Sequence, residues 1–346
     1  MLSTLLASIA AGYGLQRLGL PVGWLIGPLM ITAAHNFLAT APWNLPPLFR
    51  RTGEFLLGVT IGSLFTLAVA RLMLAHIVPV LISIVGAIFS GLICGQFFLR
   101  HSKLDPATAF FATPAGGAAE MASLARQYGG DEQLVATYHS TRIALIVLGV
   151  PLALTFFYHS TLNHAPPLSQ WDLPHFTANA IVFLIGGVGA WLAVRFRLPG
   201  GMLIGVILII ALTNIISGDA LPPIPREFRY TAQMLVGAAI GCSFNVATIH
   251  RIRALYKLQL QTTVLLLALS MIWALLLWVM TPLDLLTAVL STAPAGCAEM
   301  TATAIALGAD APIVAAVQAL RVIAVTVVMP ILIRRIMQRQ PNGPPA

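Results

Sequence analysis

The chain has 346 residues, of which 58% are hydrophobic and only 9% are charged, and its formal net charge is +8. Soluble domains carry about 25% charged residues, so this composition excludes an ordinary soluble protein. The basic residues lie in short loops between apolar runs, which is the usual topology signal of membrane proteins and excludes a separate nucleic-acid-binding domain. Because the apolar runs reach the ~20 residues that cross a bilayer, we predict an all-α polytopic membrane protein.

One sequence unit occurs twice along the chain. Residues 20–27 match residues 198–205, and residues 49–58 match residues 228–237. Self-similarity at a fixed spacing indicates a duplicated structural unit. The predicted divisions are a first membrane repeat over 1–160, a linker over 161–175, a second membrane repeat over 176–340 and a disordered tail over 341–346.

Each repeat contains six apolar segments. In the first repeat we place them near residues 2–18, 22–39, 53–70, 74–99, 105–127 and 133–158. In the second repeat we place them near residues 178–196, 200–217, 232–249, 256–280, 284–307 and 312–333.

The fifth segment of each repeat carries the most unusual sequence. The run Thr113-Pro-Ala-Gly-Gly-Ala-Ala-Glu-Met121 recurs 179 residues later as Thr292-Ala-Pro-Ala-Gly-Cys-Ala-Glu-Met300. Proline and glycine divide each segment into limbs of about ten residues, which reach only about half way across a bilayer. Broken backbone at that depth is tolerated inside protein or beside a water-filled cavity. The segment is therefore either a discontinuous crossing helix or a re-entrant hairpin.

Loop charges distinguish these two arrangements. If all twelve segments cross, the basic residues divide eight to nine between the two faces, which shows no bias. If both fifth segments are re-entrant, thirteen basic residues, including Arg50 and Arg51, fall on one face and four on the other. We therefore predict two inverted repeats of five transmembrane helices, each with one re-entrant or broken hairpin. Both termini are then cytoplasmic.

The hairpin tips offer groups that bind ions. A short helix begins after Gly117 and another after Gly296, and their free N–H groups would attract an anion such as a carboxylate. The carbonyls that end the preceding limbs, together with two threonine hydroxyls, could instead hold a cation. The alternative is that proline and glycine only permit tight helix packing. The other tip residues considered are Thr113, Pro114, Gly116, Thr292 and Pro294.

Two acid–base pairs accompany the tips. Arg142 follows Glu120 by 22 residues, and Arg321 follows Glu299 by the same spacing. Ionisable groups in such apolar surroundings are expensive and are paired or functional. The glutamates are candidate proton carriers or cation ligands, and the arginines are candidate counter-charges or substrate clamps. The alternative is two structural ion pairs.

His139 and Gln318 occupy equivalent positions, one helical turn before the two arginines. Each is a candidate to line the site, and the alternative is that each is only a hydrogen-bond neighbour of its arginine.

The remaining polar residues have structural interpretations. Asp105 and Asp284 are predicted N-caps of the first limbs, and Asn36 and Asn214 are predicted helix-end caps that could also touch a ligand. The cysteines and histidines show no metal or disulfide spacing, and no nucleophile or phosphate-binding motif occurs. We therefore predict no metal site, no catalytic residue and no cofactor.

At these residues the sequence resembles the AbrB-type bacterial membrane proteins, a family with a duplicated membrane domain. The resemblance implies that the protein lies in a bacterial inner membrane. The repeated tip motif, the Gln-Tyr-Gly-Gly turn that ends at Asp131 and the arginine Arg142 carry the resemblance, which covers residues 5–335. Family members are labelled as regulators of gene expression or as ammonia monooxygenases. The first label would need a cytosolic domain and the second a metal cluster, and neither is evident in this sequence.

Together these features predict a secondary transporter that moves a small solute, anionic or organic, by alternating access through a midplane site. The expected partners are this small molecule or ion and the lipid bilayer, with no nucleic acid, and a homodimer stays open. One alternative is a membrane protein with an indirect role in gene regulation. A disfavoured alternative is a membrane-bound monooxygenase, so we expect no enzymatic activity.

Overall fold

The computed structural model describes residues 2–18, 22–38, 43, 45–157, 173–198, 201–219, 221–222, 224–243 and 255–338. Most of the predicted linker and the whole predicted tail lie outside these residues. Within them the chain is helical and contains no β-strand, which confirms the predicted all-α class.

The described residues form fifteen α-helices. Their bounds are α1 (Leu2–Arg17), α2 (Gly23–Leu38), α3 (Pro47–Ser63), α4 (Leu67–Ala75), α5 (Ile77–His101), α6 (Pro106–Ala112), α7 (Ala118–Gln127), α8 (Glu132–Phe157), α9 (Leu173–Arg195), α10 (Gly201–Ile216), α11 (Arg226–Cys242), α12 (Tyr256–Met280), α13 (Leu285–Thr292), α14 (Cys297–Leu307) and α15 (Ala311–Gln338). The helices α3 and α11 begin and end 179 residues apart, and so do α5 and α12. The duplicated sequence therefore folds into duplicated helices.

The third segment departs from its predicted bounds of 53–70. The structure has two helices there, α3 and α4, which are bent by 86° relative to each other. The helix α3 begins early because Pro47 occupies its first turn, where no hydrogen-bonded N–H is needed. The helix α4 begins where the Thr66 side chain accepts a backbone hydrogen bond and caps it. The charged residues around Arg50 consequently lie inside a helix and not in a loop.

Each fifth segment folds back on itself as a helical hairpin. At the start of α6, the Thr108 hydroxyl accepts a hydrogen bond of 2.7 Å from the N–H of Asp131, in the turn after α7. The equivalent Thr287 hydroxyl accepts one of 3.0 Å from the N–H of Asp310, after α14. Each segment thus returns to the level at which it began, whereas a crossing segment would separate these atoms by ~30 Å.

Side chains cap the helix ends that the sequence indicated. Asp105 and Asp284 accept hydrogen bonds of 2.7 and 3.1 Å from N–H groups in the first turns of α6 and α13, so both are N-caps as predicted. The Asn36 amide donates to the last carbonyl of α11, and the Asn214 amide donates to the last carbonyl of α3. Each asparagine therefore caps a helix of the other repeat.

The two hairpins approach each other from opposite ends of α15. The base of the second hairpin lies at Asp310, where α15 begins, and its tip contacts Arg321. Further along α15, Val325 lies 3.0 Å from the position that a Cβ on Gly116 would take, at the tip of the first hairpin. The last turns of α15 join the apolar cluster that contains Ala107, at the base of the first hairpin. The tips therefore meet midway along α15.

The helices pack as two bundles that each combine both repeats. In the first, which we call the α2/α11 bundle, α1–α3 pack with α9–α11, and α2 lies against α11 while α3 lies against α10. In the second, which we call the hairpin bundle, α5–α8 pack with α12–α15, and α5 lies against α12.

Four described helices, α5, α8, α12 and α15, are long and apolar enough to cross a membrane, and the bent α3–α4 pair would make a fifth span. The chain is therefore a membrane protein, as its composition predicts. The helices α1, α2, α10 and α11 have 16 or 17 residues, or roughly 24 Å of helix. These four helices are shorter than the ~20 residues that usually cross a bilayer, so the ten crossings stay a prediction.

The opposite approach of the hairpins predicts that their bases lie on opposite faces of the membrane. In a variant whose three native cysteines are replaced by alanine, His101→Cys marks the end of α5 and Met280→Cys marks the equivalent end of α12. A membrane-impermeant maleimide should label the Met280 variant in intact cells and the His101 variant only in inverted vesicles. The reason is that the base of the first hairpin lies beside the more positive loops, which the positive-inside rule places in the cytoplasm. Labelling of both from one face would contradict the opposite approach.

Candidate functional site

Arg321 holds the tips of both hairpins together. From α15 it donates hydrogen bonds of 2.7 and 2.8 Å to the carbonyls of Ala293 and Ala295, in the tip of the second hairpin. Its Nε donates a third bond of 3.1 Å to the carbonyl of Ala115, in the tip of the first hairpin. Arg321 is only 2% exposed, so the two tips meet around a buried positive charge.

Arg142 makes the equivalent contact inside the first hairpin. Its Nη1 donates hydrogen bonds of 2.7 and 3.2 Å to the carbonyls of Thr113 and Pro114. Its Nη2 lies 3.0 Å from Nδ1 of His139, whose Nε2 lies 2.9 Å from the carbonyl of Phe111. Because a guanidinium group only donates, Nδ1 accepts and Nε2 carries the proton that bonds to Phe111. His139 is therefore neutral and positions Arg142.

Gln318 takes the place of His139 in the second repeat. Its amide donates hydrogen bonds of 2.7 and 3.1 Å to the carbonyls of Leu290 and Ala293. These side chains serve carbonyls that α6 and α13 leave free at their C-terminal ends, where the helix dipole also favours a cation. The tip carbonyls considered as cation ligands are thus occupied by the protein's own guanidinium groups. Both arginines donate to backbone carbonyls, whereas the sequence suggested the glutamates as their partners.

Each glutamate covers the N-terminus of its own helix. Gly117 and Gly296 are the N-cap residues of α7 and α14, and Glu120 and Glu299 lie in the first turns. Each carboxylate folds back over its glycine so closely that a Cβ there would collide with Oε2. Each glutamate is the third residue of its helix, the position from which a carboxylate can reach back toward the free N–H groups of the first turn. The close approach of the carboxylate also explains why both caps are glycine.

The two glutamates differ in burial. Glu299 is 1% exposed, and its Oε1 has no hydrogen-bond partner among the described residues. Glu120 is half-buried and also lines an open cavity of about 480 Å³ beside Arg197. Equivalent residues of the two repeats therefore lie in unequal surroundings.

The two capped helix ends share one cavity of about 350 Å³, within the range of about 300 to 1,000 Å³ that is usual for ligand sites. The first turns of α7 and α14 form its wall on the side of the hairpin bundle. The first turns of α3 and α10 form the wall on the side of the α2/α11 bundle. Its charged lining residues are Arg50, Arg51, Glu54, Glu120 and Glu299. Arg50 and Glu54 form an ion pair of 2.8 Å.

A much smaller cavity lies behind the tips, against α5 and α12. Its volume of about 10 Å³ is about the minimum that holds one water molecule. Thr292 and Pro294 line it, together with Ser90, whose hydroxyl accepts a hydrogen bond of 3.0 Å from the indole of Trp273. The Thr113 hydroxyl likewise faces α5 and donates to one of its carbonyls at 3.0 Å. Thr113 therefore anchors its tip to α5, whereas the Thr292 hydroxyl donates to carbonyls of its own helix, and neither threonine lines the cavity of about 350 Å³.

The structure divides the predicted site residues into two groups. Those that line the large cavity are Gly116, Gly117, Glu120, Gly296 and Glu299. Those that lie behind the tips or support them are Thr113, Pro114, His139, Arg142, Thr292, Pro294, Gln318 and Arg321.

The polar cavity residues Arg50, Arg51, Glu54 and Cys297 are not among the predicted site residues. The sequence places the two arginines among the loop charges and indicates that the cysteine is a small packing residue without metal or disulfide spacing. The spacing of Arg50 and Glu54, which are four residues apart on one helix face, is the signal that could have placed them in a helix. The three cysteines are free thiols, and the described ranges contain no group of three His, Cys, Asp or Glu placed to hold a metal ion.

The chain is similar to known proteins over nearly its whole length. The model of a family described as "Transition state regulatory protein AbrB" matches residues 24–337. The "Uncharacterized protein YhjN" of Bacillus subtilis (strain 168) is 26% identical over 344 residues, which cover 93% of this chain and 89% of that protein. The "Putative regulator AbrB" of Escherichia coli (strain K12) is 27% identical over 342 residues, which cover 97% and 96%. These matches confirm the resemblance indicated by the tip motif.

Arg321→Ala should destabilise the protein, because the carbonyls of Ala115 and Ala295 lose their donor and each unsatisfied group costs about 1–3 kcal/mol. The stability of Arg321→Lys should lie between those of the wild type and the alanine variant, since an ammonium group lacks the planar fork that spans the carbonyls. Thermal unfolding in detergent measures this order, with Arg335→Ala at the exposed end of α15 as the control. An alanine variant as stable as the control would show that other contacts hold the tips.

Proposed function

We propose that this chain, which belongs to the AbrB family, is a secondary transporter that moves a small solute across a bacterial inner membrane by alternating access. The proposed binding site is the cavity between the hairpin tips and α3. The observation that carries the proposal is that both broken hairpins place a helix N-terminus at this one cavity. Discontinuous helices that meet at a midplane site are typical of secondary transporters with inverted repeats.

The proposed topology is two inverted repeats of five transmembrane helices with both termini in the cytoplasm. The opposite approach of the hairpins along α15 supports it. Arg50 and Arg51 line the cavity, so they no longer count as loop charges. Arg229, the equivalent of Arg50, is buried in α11 and is likewise not a loop charge. The remaining charges divide eleven to three between the two faces, and the positive-inside rule still favours the same orientation.

The location of the cavity supports a mechanism in which one bundle moves against the other. One wall belongs to α3 and α10 of the α2/α11 bundle, and the other belongs to α7 and α14 of the hairpin bundle. A rigid-body movement at this boundary would open the cavity to one face and close it to the other. The packing inside each bundle would be preserved.

Equivalent residues of the two repeats lie in different environments, as alternating access between inverted repeats requires. The side chain of Arg50 is 49% exposed, whereas its equivalent Arg229 in α11 is 6% exposed. Gln233, the equivalent of Glu54, donates a hydrogen bond of 3.2 Å to the carbonyl of Ala302 and joins α11 to α14. This asymmetry supports a state that is open beside α3 and closed beside α11.

An indirect role in gene expression is compatible with transport, because a transporter changes the concentration of an effector inside the cell. The regulatory name of the Escherichia coli relative applies to that protein. We propose transport, and not oxygenase chemistry, because guanidinium, carboxylate and helix-end groups that bind charged solutes line the cavity.

Alternating access predicts that the cavity is reached from both faces of the membrane in turn. Ala119→Cys, in the variant without native cysteines, places a thiol on an exposed cavity position at the start of α7. An impermeant maleimide should label it both in intact cells and in inverted vesicles, whereas the His101→Cys control reacts from one face only. Labelling from a single face would refute alternating access, and leakage of the reagent through the protein would indicate a pore.

A further inference from the structure

The two glutamates occupy helix ends that would otherwise receive an anion. The first turn of a helix presents free N–H groups and the positive end of the helix dipole, and this combination binds carboxylates. In α7 and α14 the place is taken by Glu120 and Glu299, which fold back over Gly117 and Gly296. An anionic solute in the cavity therefore competes with the protein's own carboxylates for the same N–H groups.

A proton on the glutamate removes this competition. An ionised carboxylate is attracted to the helix end and repels the solute, whereas a neutral carboxyl group does neither. Binding of the proton and binding of the anion therefore strengthen each other, by the same factor in both directions.

Glu299 is the better proton carrier of the two. It is buried, and its Oε1 has no hydrogen-bond donor within the described part of the chain. An ionised oxygen in that position is costly, and a proton placed on it would supply a donor to the carboxylate of the solute. Glu120 is half-buried and lines both the large cavity and the open cavity beside Arg197, so water can reach it.

The surrounding charges favour an anionic solute. The charged and polar groups around the cavity and the tips are Arg50, Arg51 and Glu54 on α3, Glu120 on α7, Arg142 on α8, Glu299 on α14, Arg321 on α15 and the neutral Gln233 on α11. Four guanidinium groups thus accompany three carboxylates, an excess of one positive charge. This excess attracts a carboxylate more than a cation, and a proton that arrives with a monocarboxylate leaves the excess unchanged.

We propose that the transported solute is a small organic acid in its carboxylate form, that it crosses with one proton, and that Glu299 carries this proton. The inference rests on the proposed transport function. The solute carboxylate replaces the glutamate at the N-terminus of α14 while the proton stays on Glu299. On the opposite face the solute leaves, the proton passes to water, and the ionised Glu299 caps its helix again. A cavity of about 350 Å³ lies at the lower end of ligand sites and suits a small acid.

The test uses the purified full-length protein in proteoliposomes that contain a pH-sensitive dye. The probes are radiolabelled pyruvate, lactate, succinate and citrate, and arginine is the cationic comparison. We expect uptake of at least one acid, faster at acidic than at alkaline external pH, with matching acidification of the interior. Above the pH at which Glu299 titrates, the apparent affinity for the acid should fall by about tenfold for each unit that the pH rises, the value for one coupled proton.

Glu299→Gln imitates the protonated side chain in charge and shape. It should still bind the acid, measured as protection of the Ala119→Cys thiol from alkylation, but lose the pH dependence and the proton movement. Glu299→Asp keeps a titratable group and should retain proton coupling. If the glutamine variant does not fold, the coupling is tested by comparing the pH dependence of uptake in Glu299→Asp with that of the wild type. Glu132→Gln, at the exposed start of α8, is the control and should behave as the wild type does.

Acid uptake without proton movement, or a pH dependence that survives in Glu299→Gln, would overturn the coupling and leave transport intact. Uptake of arginine but of no acid, or no uptake at all, would overturn the class of solute. In that case two-sided labelling of Ala119→Cys shows whether alternating access itself still holds.

Discussion

The fold depends on supplying hydrogen-bond donors to carbonyl groups at the ends of two helices that stop inside the protein. No further helical turn follows α6 or α13 to supply N–H donors to their last carbonyls. A carbonyl left unpaired in such surroundings is costly. Arg142 and Arg321 meet this requirement with several bonds each. Because Arg321 also binds Ala115 in the other hairpin, the same requirement draws the two tips to one place. The large cavity exists because the tips meet there.

This requirement also accounts for the spacing of 22 residues between each glutamate and its arginine. The helix α7 has ten residues and descends roughly 15 Å from tip to base. Arg142 follows Asp131, at the base, by eleven residues, which climb roughly 16 Å along α8. The arginine therefore returns to the level of the tip whose carbonyls it serves. The second hairpin has the same geometry: α14 has eleven residues, and Arg321 follows Asp310 by eleven residues.

The sequence sufficed for features that local patterns or the comparison of the two halves encode. The broken fifth segments, the Asp105 and Asp284 caps and the paired asparagines are of this kind. The partners of the arginines could not be predicted, because a backbone carbonyl has no sequence signature and opposite charge pointed to the glutamates. The charges at Arg50 and Glu54 have the sequence pattern of a loop between apolar segments. Only tertiary packing shows that their helix borders the cavity.

The two repeats are not interchangeable, and their differences bear on which state the protein prefers. Arg50 is exposed and paired with Glu54, whereas Arg229 is buried, and its Nε and Nη1 have no partner among the described residues. Under the proposed mechanism the opposite state would exchange these environments, so that Arg229 gains water while Arg50 loses its ion pair. Gln233 stands in place of Glu54 and offers Arg229 no new ion pair. An exposed pair contributes only about 0.2–1 kcal/mol, and the hydration of Arg229 offsets that loss. Under the proposed mechanism these two changes offset each other, so this pair of positions favours neither state strongly.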